Sequence, residues 1–460
     1  MNEEMILTAD LVTELIDNRH LSQLRSLTEE MQAEDIAELF LELPDGYLSR
    51  FFRILHKDIA ADVFASMDPE QQEVLILAFS DAELRNLLDE MFYDDTVDLI
   101  EEMPASVVQR IIANSTPEDR RVINELLRYP ADSAGGNMTT EFVRLKPDYT
   151  VSQALSEIRR VGVNKETIYT CYVTDNNRHL LGVVAAKDLL LSQGDVLIKD
   201  IMEENVISCG THDDQEQVAQ LFSKYGFIAL PVVDTENRLV GIVTIDDAVE
   251  IMQEEAQEDL SILSAVTPDE TPYLRTTPWE IWKNRFPWLA LLMLSATFTG
   301  IIISAFEDAL SRVVVLTAFI PMLMGTGGNS GSQAAVTIIS ALSRGELELR
   351  DWLKVVWKEV RVSVMCGITL AVLALGKVML VDNLIMGNPD VSFDVALVVS
   401  LTLCVTVICA KLIGCSLPIL AKKIKLDPAV VASPFITTIV DALSLLVYFW
   451  IACSFIPGLN

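Results

Sequence analysis

Along the first 130 residues apolar side chains recur three or four positions apart, as in Ile36, Leu39, Phe40 and Leu43, or Leu84, Leu87, Leu88 and Met91. That spacing places them on one face of a helix. The segments LPDG, MDPEQ and STPED interrupt it, and Pro, Gly and Asp there predict short connections. Residues 1–130 are therefore expected to form an acidic all-helical domain of short hairpins. Between 138 and 250 the pattern changes and repeats. One copy runs from MTTEFVRLKPDYTVSQAL through CYVTDNNRHLLGVVAAKDLL, the other from MEENVISCGTHDDQEQVAQLF through LPVVDTENRLVGIVTIDDAV. Asp175 and Asp234, Gly182 and Gly241, and Asp188 and Asp247 are each 59 positions apart. Each copy predicts strand, helix, strand, an Asn-containing turn, strand and helix, giving α/β domains over 131–200 and 201–256. A connecting helical region is expected over 257–286. Apolar runs at about 287–306, 313–341, 358–381, 395–420 and 429–456 approach the ~20 helical residues that span a bilayer core, so 287–460 reads as five membrane helices.

The loops orient those spans. Arg344, Arg350, Lys354, Lys358 and Arg361 surround the second connection, and Lys422, Lys423 and Lys425 the fourth. Basic loops face the cytoplasm, which places the N-terminus inside and the C-terminus outside. The formal charge of −32 lies wholly in residues 1–286, with 55 acids and 23 bases, while 287–460 carries 11 of each. An acidic cytosolic part excludes nucleic acid as a partner and needs cations nearby. The seven Cys show no CxxC spacing, so neither a zinc site nor a disulfide framework is expected. No Walker-type GxxxxGK[ST] and no nucleophile–base constellation point to an ATP-driven pump or an enzyme.

Two features in the apolar part carry chemistry. PMLMGTGGNSGSQAAVTIISAL interleaves glycines with Thr326, Asn329, Ser330, Ser332 and Gln333, and such a segment should face protein or a water-filled path. Its Gly327 and Gly331 form a GxxxG, a packing signal in its own right. Asp441 lies about 18 Å from Ala429 at 1.5 Å per residue, near the middle of a core about 30 Å thick. A carboxylate there needs a partner, a proton, water or a cation; pairing with Lys411 is the structural alternative. Oxygen-only ligands suit a hard cation, and a lone carboxylate suits Mg²⁺, which keeps most of its waters.

The order helical domain, paired α/β repeats, acidic connecting helix and five spans, with GTGGNSGSQ and LDPAVVASPFITTIVD, resembles the MgtE family of magnesium channels. The repeats themselves resemble cystathionine β-synthase (CBS) domains. The resemblance implies a homodimer in a bacterial inner membrane with the ion path along its two-fold axis, closed by cytosolic Mg²⁺, and leaves ATP a candidate ligand of the CBS pair. By position it assigns the pore carboxylate to Asp441, the lining to Gly325, Asn329, Ser433 and Thr437, and the cytoplasmic mouth to Asp427. It assigns the regulatory Mg²⁺ ligands to Asp62, Asp94, Asp98, Asp214, Glu216, Asp247, Glu250, Glu254, Glu255, Glu258 and Asp259. The chain departs from the family pattern at Gly226 and Glu250, where the family carries acids, Asp in the second case, and at Ser433, where it carries Asn. A secondary transporter coupled to H⁺ or Na⁺ is the alternative reading, and a nucleotide sensor anchored in the membrane a third.

Overall fold

The computed structural model describes residues 7–269, 273, 276–431 and 433–456. Two compact units emerge, residues 1–251 and 252–460.

The first unit begins with ten short helices: α1 (Ala9–Asp17), α2 (Leu21–Thr28), α3 (Ala33–Glu42), α4 (Asp45–Phe52), α5 (Lys57–Ala65), α6 (Pro69–Ala78), α7 (Asp81–Leu88), α8 (Tyr93–Glu102), α9 (Ala105–Asn114) and α10 (Pro117–Leu126). Their starts follow the breaks read in the sequence. Ser80 and Thr116 each cap a helix reciprocally with the acid three residues on, Glu83 and Asp119, which satisfies backbone donors that the first turn leaves open. The helices bury Phe40, Phe51, Phe52, Phe64 and Phe79 in a core that continues into the second repeat through Phe222, Leu230 and Val243.

The duplication is visible down to its register. Copy one is β1 (Phe142–Leu145), α11 (Val151–Val161), β2 (Thr167–Thr174), β3 (Leu180–Ala185) and α12 (Ala186–Leu191). Copy two is β4 (Cys209–Gly210), α13 (Gln215–Tyr225), β5 (Ala229–Val233), β6 (Leu239–Thr244) and α14 (Ile245–Leu263). Each sheet has one parallel and one antiparallel pairing. Val173 pairs with Gly182 and Val232 with Gly241, the same pairing displaced by the 59-residue offset. The turns repeat as well: Arg178 and Asn237 occupy equivalent positions with φ of 71° and 59°, a left-handed conformation that Asn tolerates better than Arg.

The second unit contains the C-terminal part of α14, then α15 (Pro278–Ala305), α16 (Glu307–Arg312), α17 (Ile320–Ser343), α18 (Trp352–Lys377), α19 (Phe393–Lys423) and α20 (Ser433–Phe455). A 3₁₀ turn over Val314–Phe319 precedes α17, and a π-helical stretch, Val378–Ile385, extends α18. Among the described residues, four helical segments are long and apolar enough to cross a membrane: Pro278–Ala305, Leu349–Ile385, Phe393–Lys423 and Pro434–Phe455. The second of the five expected spans corresponds to α17, which is less apolar than the other four. Helix α17 has 24 residues, but its Gly, Ser, Thr, Asn and Gln lower its apolarity, and much of it is covered by α19 and α20. Two boundaries also move. The acidic connecting helix is the continuation of the last repeat helix and ends at Leu263. The first span begins at Pro278 under a Thr277–Glu280 capping box and passes through Pro287 without a break.

Candidate functional site

The sequence YDDTVDLIEE places three aspartates in the first two turns of α8. Acids there are favoured by the helix dipole, yet burial dominates: Asp94 is only 8% exposed. Asp247 faces this group from the start of α14, accepting hydrogen bonds from the Thr244 hydroxyl and, at 3.3 Å, the Thr244 N–H. Copy one contributes Glu141, which accepts the Tyr93 N–H at 2.9 Å, and Glu166, whose Oε2 is buried without a partner among the described residues. Burial, then the charge of Asp247, pushes the Asp94 carboxyl well above the usual carboxylate range. The same two causes, in the same order, raise Asp95 to about 7 and Asp98 to about 8. Glu166 is raised to about 8 by burial and then Asp246, and Asp247 to about 6 by burial above all. Asp62 of α5 is also raised, by burial and then by Glu34, and its charge in turn acts on Asp95. Glu250 acts on Asp98 and Asp247.

Of the sequence-assigned regulatory residues, Asp62, Asp94, Asp98, Asp247 and Glu250 therefore share one nest. Asp95, Glu141, Glu166 and Asp246 belong to it and escaped the sequence reading. Among the described residues no three acidic, His or Cys side chains converge as direct metal ligands. Asp214 sits at the start of α13, where it accepts the Glu216 N–H at 3.0 Å and caps the helix. Gly226 ends that helix with φ of 67°, so the residue that replaces a family acid also meets a left-handed cap that favours glycine.

Further along α14, Glu254 and Glu258 are exposed and Glu255 and Asp259 partly buried. Asp259 accepts the Ser343 hydroxyl at 3.2 Å, and burial, then the exposed Asp427 carboxylate, raises its pKa. Asp427 accepts the Ala429 N–H at 2.8 Å. Next to this acidic pair Ile262 packs with Ala335, Ile339, Ala429, Ile436 and Val440, joining the end of α14 to α17 and α20.

Between α17 and α20 the polar residues divide into two faces. Gly327 and Gly331 are packing positions: a Cβ on Gly327 would stand 2.7 Å from both Ser444 Oγ and Thr406 Cγ2, and one on Gly414 of α19 would stand 2.2 Å from the Gly331 carbonyl oxygen. Gly325 and Asn329, one turn apart, are exposed, and a Cβ on Gly325 would meet nothing within 4 Å. Asp441 and Thr437 are partly buried beside Gly328, where an added Cβ would lie 3.5 Å from Asp441 Oδ1 and 3.2 Å from Thr437 Cγ2. Gly325, Asn329, Thr437 and Asp441 thus line one side of the α17–α20 seam. Ser433 is the first residue of α20, and its side chain is outside the described set. Helix α20 starts at Ser433, so Asp441 is about 12 Å into it. Lys411 is buried at 7% exposure, but among the described residues no ion pair joins it to Asp441. Lys377 pairs instead with Asp382 at 2.8 Å.

Comparison with known proteins agrees with this layout. Residues 31–132 match the MgtE intracellular N domain, 136–194 and 198–254 match CBS domains, and 320–451 match the family of MgtE divalent cation transporters. The magnesium transporter MgtE of Thermus thermophilus is 36% identical over 93% of this chain and 94% of its own, and that of Bacillus subtilis 34% identical over 97% and 96%. Among solved structures, the cytosolic domain of the Mg²⁺ channel MgtE in complex with ATP is 35% identical with a TM-score of 0.50, covering 53% of this chain and 99% of that one. The soluble part of a magnesium transporter is 32% identical with a TM-score of 0.51, over 54% and 97%. The chain belongs to the MgtE family of divalent cation transporters.

Proposed function

We propose that this chain conducts Mg²⁺ across a bacterial inner membrane as a homodimer, its ion path lying between the α17–α20 strips of two copies. The observation that carries the reading is the single carboxylate, Asp441, set among Gly325, Asn329 and Thr437 on one side of a helix seam. A carboxylate in a membrane segment requires a counter-charge or water, and a hydrated Mg²⁺ supplies both. That the relatives are magnesium transporters supports the choice of ion. Five spans, α15 and α17 to α20, place the N-terminus in the cytosol and the C-terminus outside, with 1–130 as the N domain, 131–200 and 201–256 as the CBS pair and 257–286 as the connecting segment.

Cytosolic Mg²⁺ closes the path. At low Mg²⁺ the carboxylates of Asp62, Asp94, Asp98, Asp247 and Glu250 repel and the nest loosens; at high Mg²⁺ ions bridge it. Asp259 and Asp427 form a second station at the mouth, with Glu254, Glu255 and Glu258 on the same helix, while Asp214 and Glu216 supply carboxylates at the start of α13. To swing the population from 1:99 to 99:1, Mg²⁺ must favour the closed form by about 5.5 kcal/mol in total, which several weak sites together supply. The ATP in the related cytosolic structure supports a nucleotide at the CBS pair here.

The test is Mg²⁺ uptake by the purified protein in liposomes. Flux that Asp441→Ala abolishes while the dimer persists is expected. Undiminished flux in that variant would sink the assignment, and flux that requires an H⁺ or Na⁺ gradient would turn the reading to coupled transport.

A further inference from the structure

Most buried or partly buried hydroxyls on the long helices of the second unit return to their own helix. Ser400 donates to the Ala396 carbonyl at 2.7 Å, Ser444 to Val440 at 2.6 Å and Thr438 to Pro434 at 3.0 Å. Thr402 and Thr406 of α19 do not. Both side chains are 0% exposed, and neither Oγ1 has a partner among the described residues. A buried hydroxyl left unpaired is unfavourable in a protein interior, and two on one helix face form a pattern. Residues four apart stand about 5–6 Å from each other, which is twice an O–H···O distance of about 2.8 Å. One water can therefore bond to both.

The surroundings favour water over the alternatives. The Thr406 methyl faces Gly327 of α17, with Ser444 Oγ of α20 against the same glycine, so three helices meet here. Ser444 spends its proton on Val440 and keeps lone pairs free to accept from a neighbour. The groups seen at this junction, Gly327 and Ser444, are neutral, and a bare cation held only by hydroxyls would remain uncompensated in a low-dielectric interior. A resident water with two to four polar partners is the usual solution at such a site. We infer that Thr402 and Thr406 hold an internal water at the junction of α17, α19 and α20 in each protomer, separate from the strip that carries Asp441. This inference does not depend on the transport reading.

The sign of a stability change tests it. In the full-length protein, Thr402→Val and Thr406→Val remove a hydroxyl at nearly constant volume. If the water is there, each variant lowers the thermal midpoint by about 2–4 °C, and the double variant falls little further than the single ones because the shared water is lost once. Thr402→Ser and Thr406→Ser, which keep the hydroxyl, hold the midpoint near the parent's. A rise or no change in the Val variants would overturn the site, since removing a truly orphaned hydroxyl relieves a cost. Stabilisation of the parent by Na⁺ or K⁺ that the Val variants lose would overturn water in favour of an ion. Should the Val variants not fold, a high-resolution map of the parent without density in hydrogen-bond reach of both Oγ1 atoms overturns it too.

Discussion

The nest around α8 and the strip along α20 use the same functional group in opposite ways. In the first, burial raises Asp94, Asp95, Asp98, Glu166 and Asp247, and neighbouring acids, Asp247 for the three α8 aspartates and Asp246 for the other two, raise them further. In the second, Asp441 stands with glycine, asparagine and threonine, and among the described residues no ion pair reaches it. A crowd of carboxylates responds to how much cation is present, because each bound ion relieves several repulsions at once. A solitary carboxylate fills along a one-site curve, and its neighbours bear on which hydrated ion fits. Under the proposed function, sensing and selecting differ in the number of charges per site.

The largest predicted effect breaks the strip. Asp441→Asn keeps the shape and removes the charge, and Mg²⁺ uptake in liposomes should fall by about 100-fold, near 3 kcal/mol, with dimer elution unchanged. Next, Asp98→Asn combined with Asp247→Asn should raise the Mg²⁺ concentration that half-closes the path by about tenfold, or 1.4 kcal/mol, while leaving maximal uptake intact. Single-channel recording with stepped cytosolic Mg²⁺ reads both quantities. Equal losses of uptake in the two experiments would erase the distinction drawn here.

A smaller effect follows from titration. The raised carboxyls hold protons in the folded nest that the unfolded chain, with carboxyl pKa values of about 3.9–4.3, has released. Below about pH 4 both states are protonated and nothing is gained; between about 4 and 8 rising pH removes stability, and above about 8 the full repulsion is present. Without Mg²⁺, lowering the pH from 8 to 6 should therefore increase hydrogen-exchange protection of α8 in the intact protein, after correction for intrinsic exchange, and saturating Mg²⁺ should flatten that dependence. The smallest effect concerns Gly226→Asp. It introduces the acid of the family pattern into a left-handed position at a cost of about 1 kcal/mol, detectable as a thermal shift of a few degrees at most.

The sequence carried the repeat almost completely, because a 59-residue offset fixes strands, turns and even the left-handed positions at Arg178 and Asn237. It also carried the dual nature of α17, since glycine spacing and interleaved amides are local signals. The nest was legible only in part. Glu141 and Glu166 precede strands in copy one, far along the chain from α8, and an isolated acid before a strand looks like any solvated one until the fold brings it inward. Asp214 carries a second signal, because an acid at a helix start also has a capping use. The start of the last helix was less legible, because the Pro428–Val431 3₁₀ turn resembles the helix it precedes.

The contact between Gly331 and Gly414 constrains motion as well as packing. Where an added Cβ would stand 2.2 Å from a carbonyl oxygen, two helices are meshed backbone to backbone, and a slip of one residue would bring a side chain into that place. Interfaces of this kind have few intermediate positions. Helices α17 and α19 are therefore held in one register at this contact, so a substitution at Gly331 or Gly414 acts on their alignment rather than on local packing alone.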